Sequence, residues 1–280
     1  MLKHRDQQWS GIAMTQKRYA FRSVPKTILL VCFALLAGGS SCQTTKALHR
    51  EAIRQHQVGM QYLKLGKFST AEKHFLRAVE VDRRIAPSYD KLGIIQFERG
   101  LFRSAEGYFR MAIKHQQKYP LAWDHLGLSL RMQRKYSNAI SAFQKALSYQ
   151  ASHFEARLHL AQTYRRIKRF DKAQKQAFQL ITESPKRYEP HYELGLLYLA
   201  QSKRGPAIAS FKRAVKRNPR AIGPNLELGR AYLEKRKYCF AFLYLKRVLQ
   251  INIRHPEARK LYGEAKVGLR GESCADSKIE

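Results

Sequence analysis

A unit of 34 residues recurs along most of this 280-residue chain. In its clearest copy, residues 52–85, small and aromatic residues occupy fixed positions counted from the start of the unit: Gly59 (8), Tyr62 (11), Gly66 (15), Ala71 (20), Phe75 (24) and Ala78 (27). This spacing predicts two helices in close contact, because Gly59 and Ala71 leave room for the facing helix. Gly66 can adopt the left-handed conformation that ends the first helix.

Six consecutive copies keep this register, at 52–85, 86–119, 120–153, 154–187, 188–221 and 222–255. We number them repeats 1 to 6. Such a period is typical of the tetratricopeptide repeat, in which neighbouring units bury each other's apolar faces. The predicted fold is therefore all-α, a right-handed superhelical solenoid. Repeat 4 departs from the pattern, with Ala177 where the aromatic residue belongs and Leu180 in place of a small one.

The last part of the chain resembles a seventh first helix without a partner. Residues 256–269 again carry a glycine, Gly263, at position 8, together with five charged residues. A terminal helix with one polar face can shield an end repeat from water. We expect a capping helix here, followed by a polar tail over 270–280.

The N-terminal residues are typical of an export signal. A basic segment precedes a short apolar run, 28–39, and small residues follow. This pattern predicts a signal peptide over 1–41, and the run is too short for a membrane-spanning helix. Cys42, after Gly39-Ser40-Ser41, resembles the acylated cysteine of the bacterial lipoprotein lipobox, which usually has Leu where Gly39 stands. The resemblance implies a lipid anchor at Cys42, a tether over 42–51, and an outer-membrane location facing the periplasm. The alternative is an ordinary signal peptide with an incidental cysteine.

The two late cysteines, Cys239 and Cys274, are predicted to form a disulfide. Cys239 begins the second helix of repeat 6, and the capping helix should run antiparallel to that helix, bringing Cys274 back towards it. An oxidising periplasm permits the bond, and closing a loop of about 35 residues stabilises the fold by on the order of 4 kcal/mol. The alternative is two free thiols. The four cysteines contain no CxxC pair, so no zinc site is expected.

The first helices of such a solenoid line an inner face, which is where we expect a protein partner. The predicted groove residues are Met60, Leu63, Ile94, Phe97, Leu128, Arg131, Arg165, Tyr192, Leu196 and Leu199, with Leu226 and Leu233 continuing the row into repeat 6. The groove should be apolar towards both ends and cationic in the centre, since Gln162 and Arg166 accompany the two arginines. Exposed apolar side chains of this kind favour docking of a helix or an extended peptide. The alternative is that a tightly wound superhelix buries them.

Other function classes find little support in the sequence. The net charge of +32 attracts anions, but export argues against nucleic acid, and the charges are spread along the chain. No catalytic motif of the common hydrolase, metalloprotease or nucleotide-binding types is present, so we expect neither an enzyme nor a cofactor. His125 and His159 fall at the same position of adjacent repeats. They could form a metal-binding or pH-sensitive pair, but packed or solvated imidazoles are the simpler interpretation.

The combination of a lipobox-like Cys42, six repeats, a capping helix and a late cysteine pair resembles the type IV pilus biogenesis lipoproteins, the pilotins of the pilus secretin. The resemblance covers roughly residues 42–274. It implies a periplasmic adaptor that binds a secretin subunit and helps it assemble in the outer membrane. Two alternatives stay open: a general scaffold for another envelope complex, such as cell-wall or secretion machinery, and a cytoplasmic-facing adaptor held by an uncleaved N-terminus.

Overall fold

The computed structural model describes residues 41–270 and residue 274, with side chains from residue 44 onward, and the chain divides into two compact units, 1–49 and 50–280. The described residues form helices and no strands. In order, the helices are α1 (Ser41–Lys64), α2 (Phe68–Val81), α3 (Ala86–Glu98), α4 (Phe102–His115), α5 (Pro120–Met132), α6 (Tyr136–Tyr149), α7 (Phe154–Arg166), α8 (Phe170–Glu183), α9 (Glu189–Ala200), α10 (Arg204–Arg217), α11 (Ile222–Glu234), α12 (Tyr238–Ile251) and α13 (Pro256–Gly268).

Odd-numbered helices are the first helices of the repeats, and even-numbered helices are the second. From α2 onward each helix contacts the next in sequence. Several first helices also contact one another directly: α3 with α5, α5 with α7, α7 with α9, and α11 with α13. The first helices therefore form a common layer, and the predicted all-α solenoid is confirmed.

A glycine on the first helix and an aromatic ring on the second hold most repeats together. A Cβ atom added at Gly59 would lie 2.7 Å from the ring of Phe75. The same contact recurs in three further repeats, between Gly93 and Phe109, Gly127 and Phe143, and Gly195 and Phe211, and repeat 6 pairs Gly229 with Leu245. These rings are at most 1% exposed, and any side chain larger than glycine's at the facing position would clash with them.

Repeat 4 solves the same packing problem differently. Alanine stands at both positions, Ala161 on α7 and Ala177 on α8, and both are fully buried. Leu180, which replaces the usual small residue, is also fully buried. Ala177 is smaller than the aromatic residue of the other repeats, and Leu180 is larger than their small residue. Cores tolerate best such exchanges that keep the total volume.

The turn between the two helices of each repeat uses one left-handed residue. The predicted conformation of Gly66 is confirmed, with φ 69°. The equivalent residues are Gly100 (φ 76°), Arg134 (62°), Lys168 (58°), Ser202 (59°) and Arg236 (55°). Four of the six are not glycine, so those turns carry a conformational cost that the surrounding helix contacts offset.

The ends of the solenoid differ from each other. The segment expected as a tether is helical, because α1 begins at Ser41 and continues without a break into repeat 1. At the other end α13 buries Ala258 and Ala265 and leaves its charged residues exposed, as a capping helix should. The structure joins Cys239, at the start of α12, to Cys274 by a disulfide, with Cα atoms 5.4 Å apart.

Candidate functional site

All ten predicted groove residues lie on first helices and are half-buried. Their positions recur once per repeat, which places them in rows along the layer that the first helices form. None is fully exposed and none is fully buried, so each contributes both to packing and to the surface. Leu226, expected to continue the row in repeat 6, is only 8% exposed and belongs to the core; that expectation was wrong, whereas Leu233 is half-buried.

The apolar groove residues rest on separate parts of the core. Met60 and Leu63 pack against Phe75, Leu92 and neighbouring residues near the start of the solenoid. Ile94, Phe97 and Leu128 pack against the central core, whereas Tyr192, Leu196 and Leu199 pack against the core of repeats 5 and 6. Because their inner surfaces are fixed by packing, these side chains form a preformed apolar surface.

The cationic centre lies between repeats 3 and 4. Four arginines, Arg131, Arg134, Arg165 and Arg166, line a cavity of about 410 Å³ together with Met132, Tyr136 and Gln162. Arg134 and Tyr136 were missed by the sequence reasoning, because they lie in the turn and at the start of the second helix. Tyr136 stands at position 17, where Phe68, Phe102 and Phe170 also place an aromatic ring, and this recurrence is a signal that could have found it.

The four arginines are not equally neutralised. Arg165 donates to Glu193 from Nε at 2.5 Å and from Nη2 at 3.3 Å. Arg131 donates from Nη1 to the side-chain oxygen of Gln162 at 2.8 Å, and its burial lowers the pKa of its guanidinium, against the opposing effect of Asp124 and Glu193. Neither Arg134 nor Arg166 has a carboxylate partner among the residues that the structure describes. The cavity therefore carries an excess of positive charge.

His125 and His159, considered above as a metal-binding or pH-sensitive pair, each bind an aspartate of the preceding repeat instead. Nδ1 of His125 lies 2.6 Å from Oδ1 of Asp90, and Nδ1 of His159 lies 2.9 Å from Oδ1 of Asp124. Burial pushes the pKa of Asp90 upward, but the hydrogen bond and charge of His125 and the nearby Lys91 outweigh it, so the net shift is downward. Within the described part of the chain no group of metal-ligating side chains comes together. These contacts join repeats to one another.

Several predicted features fall outside the described residues. The signal segment 1–40, the side chain of Cys42, and the tail residues 271–273 and 275–280 are among them. Among the helices that are described, none is both long and apolar enough to cross a bilayer.

The chain matches two family models described as tetratricopeptide repeat, one over residues 130–194 and the other over residues 91–147 and 192–256. No curated protein matches it significantly in sequence.

Similar solved structures include PilW, described as a widely conserved type IV pilus biogenesis factor (TM-score 0.66, 18% identity, covering 75% of this chain and 97% of that one). PilF of Pseudomonas aeruginosa is similar over 78% of this chain and 99% of its own (TM-score 0.63, 15% identity). YrrB, described as a TPR protein with an unusual peptide-binding site, is similar over 63% and 92% (TM-score 0.51, 20% identity). At these identities the likeness concerns the fold. On its repeats, its helices and these matches, the chain is a tetratricopeptide-repeat protein.

Proposed function

We propose that the chain is an envelope lipoprotein whose groove residues bind a segment of a partner protein, most specifically a subunit of the type IV pilus secretin during its outer-membrane assembly. One observation carries the binding role. Half-buried apolar side chains on α1, α3 and α5, and again on α9, flank a cavity lined by arginines. Apolar anchors with a charged centre are a common basis of peptide recognition, in which packing gives affinity and charge gives register.

The charge of the centre defines the chemistry of the partner segment. Arg134 and Arg166 have no carboxylate partner among the described residues, and Arg131 binds only the neutral Gln162. A guanidinium forms bidentate hydrogen bonds with carboxylates. The segment that fits therefore carries Asp or Glu between two apolar stretches.

The secretin is proposed as the partner on two further grounds. PilW and PilF share this fold over three quarters or more of the chain, and PilW is described as a pilus biogenesis factor. The sequence around Cys42 resembles a lipobox, which would hold the chain at the outer membrane facing the periplasm. Anchoring by two or more acyl chains is stable where a single chain is not.

The groove is tested by charge substitution in cells of the source organism. Met60→Glu combined with Leu63→Glu should abolish partner binding, because two carboxylates would be placed on the apolar floor. Leu65→Glu combined with Leu76→Glu is the matched control, since these leucines are 67% and 36% exposed and lie outside the groove. The measurement is the amount of detergent-resistant secretin multimer and pilus-dependent motility. Full multimer formation by the groove variant would contradict the groove assignment.

The anchor and the identity of the partner need separate tests. Palmitate labelling should disappear in Cys42→Ala, and labelling that persists would contradict the lipoprotein assignment. Deletion of the whole chain should abolish secretin multimers. Normal multimers in the deletion strain would exclude the secretin without excluding a peptide-binding groove.

A scaffold for another envelope complex is the second candidate. The likeness to YrrB favours it, because that protein has a related fold and is described by its peptide-binding site. Crosslinking in intact cells that recovers cell-wall or secretion proteins with the wild type, and loses them with the Met60→Glu, Leu63→Glu variant, would support this candidate over the secretin.

A further inference from the structure

The corner between the two helices of a repeat is filled differently in repeats 4 and 5. The side chain at position 4 of the first helix faces the residue at position 30, near the end of the second helix. In repeat 4 these residues are Arg157 and Glu183, and Nε of Arg157 lies 3.2 Å from Oε2 of Glu183. Nη2 of Arg157 also donates to the carbonyl oxygen of Ala151 at 2.6 Å. The buried cation of repeat 4 is thus neutralised from within the repeat.

Repeat 5 keeps the corner but reverses the charge of its second member. His191 stands at position 4, and Arg217 stands where repeat 4 has Glu183. Arg213 and Lys216 lie beside Arg217 on α10, and the four side chains line a cavity of about 350 Å³. No acidic residue is among them, and no carboxylate of the described residues pairs with any of the three cations.

His191 gives a second, independent indication that a ligand belongs here. The residue is only 7% exposed, and its Nδ1 has no hydrogen-bond partner in the described structure. Buried polar atoms are nearly always paired, so an unpaired one needs an explanation. Burial lowers the pKa of the His191 imidazole, and the charges of Arg217 and Arg213 lower it further. The corner therefore holds one neutral buried ring beneath three cations.

We propose that this corner binds a phosphate group. Three cationic side chains around one concavity complement a compact anion with two negative charges. Repeat 4 supplies its own counter-charge at this corner, Glu183, whereas repeat 5 supplies none. The cavity is larger than a bare phosphate ion requires and lies at the lower end of the range for small-ligand pockets. A phosphate with a small organic substituent fits this space. It has two chemical sources: a soluble phosphate ester or the headgroup of an anionic phospholipid.

The site is distinct from the proposed groove. Its four residues come from position 4 of repeat 5, on α9, and from α10, whereas the groove residues of repeat 5 are Tyr192, Leu196 and Leu199 on another face of α9. Loss of one site should leave the other intact, so the two proposals can fail separately.

The decisive variant is Arg217→Glu, which restores the acid found in repeat 4 and supplies the missing negative charge internally. It should weaken phosphate binding about tenfold or more, because one attraction becomes a repulsion. Arg213→Gln combined with Arg217→Gln removes charge without adding an acid and should weaken binding by a similar factor. Lys175→Gln combined with Lys246→Gln is the matched control, since both lysines are exposed on neighbouring second helices, α8 and α12.

The measurement uses the full-length chain with three probes: inorganic phosphate and glycerol 1-phosphate by calorimetry, and phosphatidylglycerol vesicles against phosphatidylcholine vesicles by flotation. Circular dichroism establishes that each variant is folded. If either soluble probe gives a heat of binding with the wild type and with the control, and none with Arg217→Glu, the ligand is a soluble phosphate ester. Flotation with phosphatidylglycerol alone, lost in the same variant, supports a lipid headgroup. No binding of any probe, or binding that Arg217→Glu leaves unchanged, would overturn the proposal.

Discussion

Repeats 4 and 5 share one backbone plan and differ in what holds their helices together. In repeat 5 the ring of Phe211 fills the space above Gly195, and in repeat 4 two alanines, Ala161 and Ala177, meet instead. Repeat 4 adds polar contacts that repeat 5 lacks, above all the pair of Arg157 and Glu183. The difference teaches that the repeat motif sets the spacing and the buried contact of the two helices, whereas residues outside the motif decide which charges are paired.

The largest expected effect comes from removing the ring of repeat 5. Phe211→Ala should lower the free energy of unfolding by about 3 to 5 kcal/mol, because it leaves a cavity in a fully buried contact. Phe178→Ala in repeat 4 is the control, since that ring is 46% exposed, and it should cost less than about 1 kcal/mol. Urea unfolding followed by circular dichroism measures both. Equal losses would mean that the two repeats do not differ in this way.

The polar corner of repeat 4 should respond less strongly. Glu183→Gln should cost about 2 kcal/mol, since Arg157 would remain buried without its carboxylate. Arg217→Gln, at the same position of repeat 5, should cost nothing or stabilise, because it relieves repulsion around His191. The same urea experiment gives both values. A larger loss for Arg217→Gln than for Glu183→Gln would contradict the comparison of the two corners.

The ion pair of Arg165 and Glu193, which joins the two repeats, should make stability depend on pH. Burial raises the pKa of Glu193, although its contact with Arg165 opposes the shift. A carboxyl whose folded-state pKa lies above its unfolded value contributes stability below the unfolded pKa and loses it as pH rises through the folded one.

The advantage of the wild type over Glu193→Gln should therefore shrink as the pH rises above the unfolded-state pKa of glutamate, about 4.3. Denaturant unfolding at a series of pH values measures it. Asp90→Asn is the opposite control, because the pKa of Asp90 is lowered in the folded state. The stability that the Asp90 carboxylate contributes should therefore grow as the pH rises above its folded-state pKa. A Glu193→Gln difference that is constant with pH would show that burial does not perturb this carboxyl.

The smallest effects are expected in the turns. Lys168 in repeat 4 and Ser202 in repeat 5 both have left-handed φ, at 58° and 59°. Substituting either by glycine should stabilise by about 0.5 to 1 kcal/mol, because the steric cost of the left-handed conformation disappears. Gly100→Ala is the reverse control, with φ 76°, and should destabilise by about 1 kcal/mol. Thermal unfolding measures the three. A loss on either glycine substitution would mean that these side chains hold the turn by contacts of their own.

Much of the fold follows from positions that repeat along the chain. The recurring small and aromatic positions predict the helix pairs, with substitutions in repeats 4 and 6, and Gly66 takes the predicted conformation. The helical form of the segment expected as a tether was not predicted, because the register of the repeat begins only at residue 52. Residues 43–51 nevertheless contain neither glycine nor proline, so nothing there breaks a helix.

The candidate site was predictable in outline only. The predicted groove residues follow from the repeat positions that face inward, and the arginines of repeats 3 and 4 predict a positively charged centre of the groove. The partners of His125 and His159 were not predicted, because Asp90 and Asp124, one repeat earlier at an adjacent position, come within reach only when the first helices stack. The half-burial of each groove residue depends on how neighbouring repeats pack and could not be predicted from one repeat.

The sequence by itself determined that helices pair in 34-residue units, because local steric requirements at glycine, alanine and aromatic positions recur with that period. Only the tertiary structure decided which charges meet. Arg157 pairs with Glu183 within repeat 4, whereas His191 lies beside Arg217 at the corresponding corner of repeat 5. Electrostatic interaction depends on the distance between side chains and on their burial, and the solenoid brings together side chains that are 26 or more residues apart. The same repeat frame therefore carries a closed ion pair in one unit and an open cationic cavity in the next.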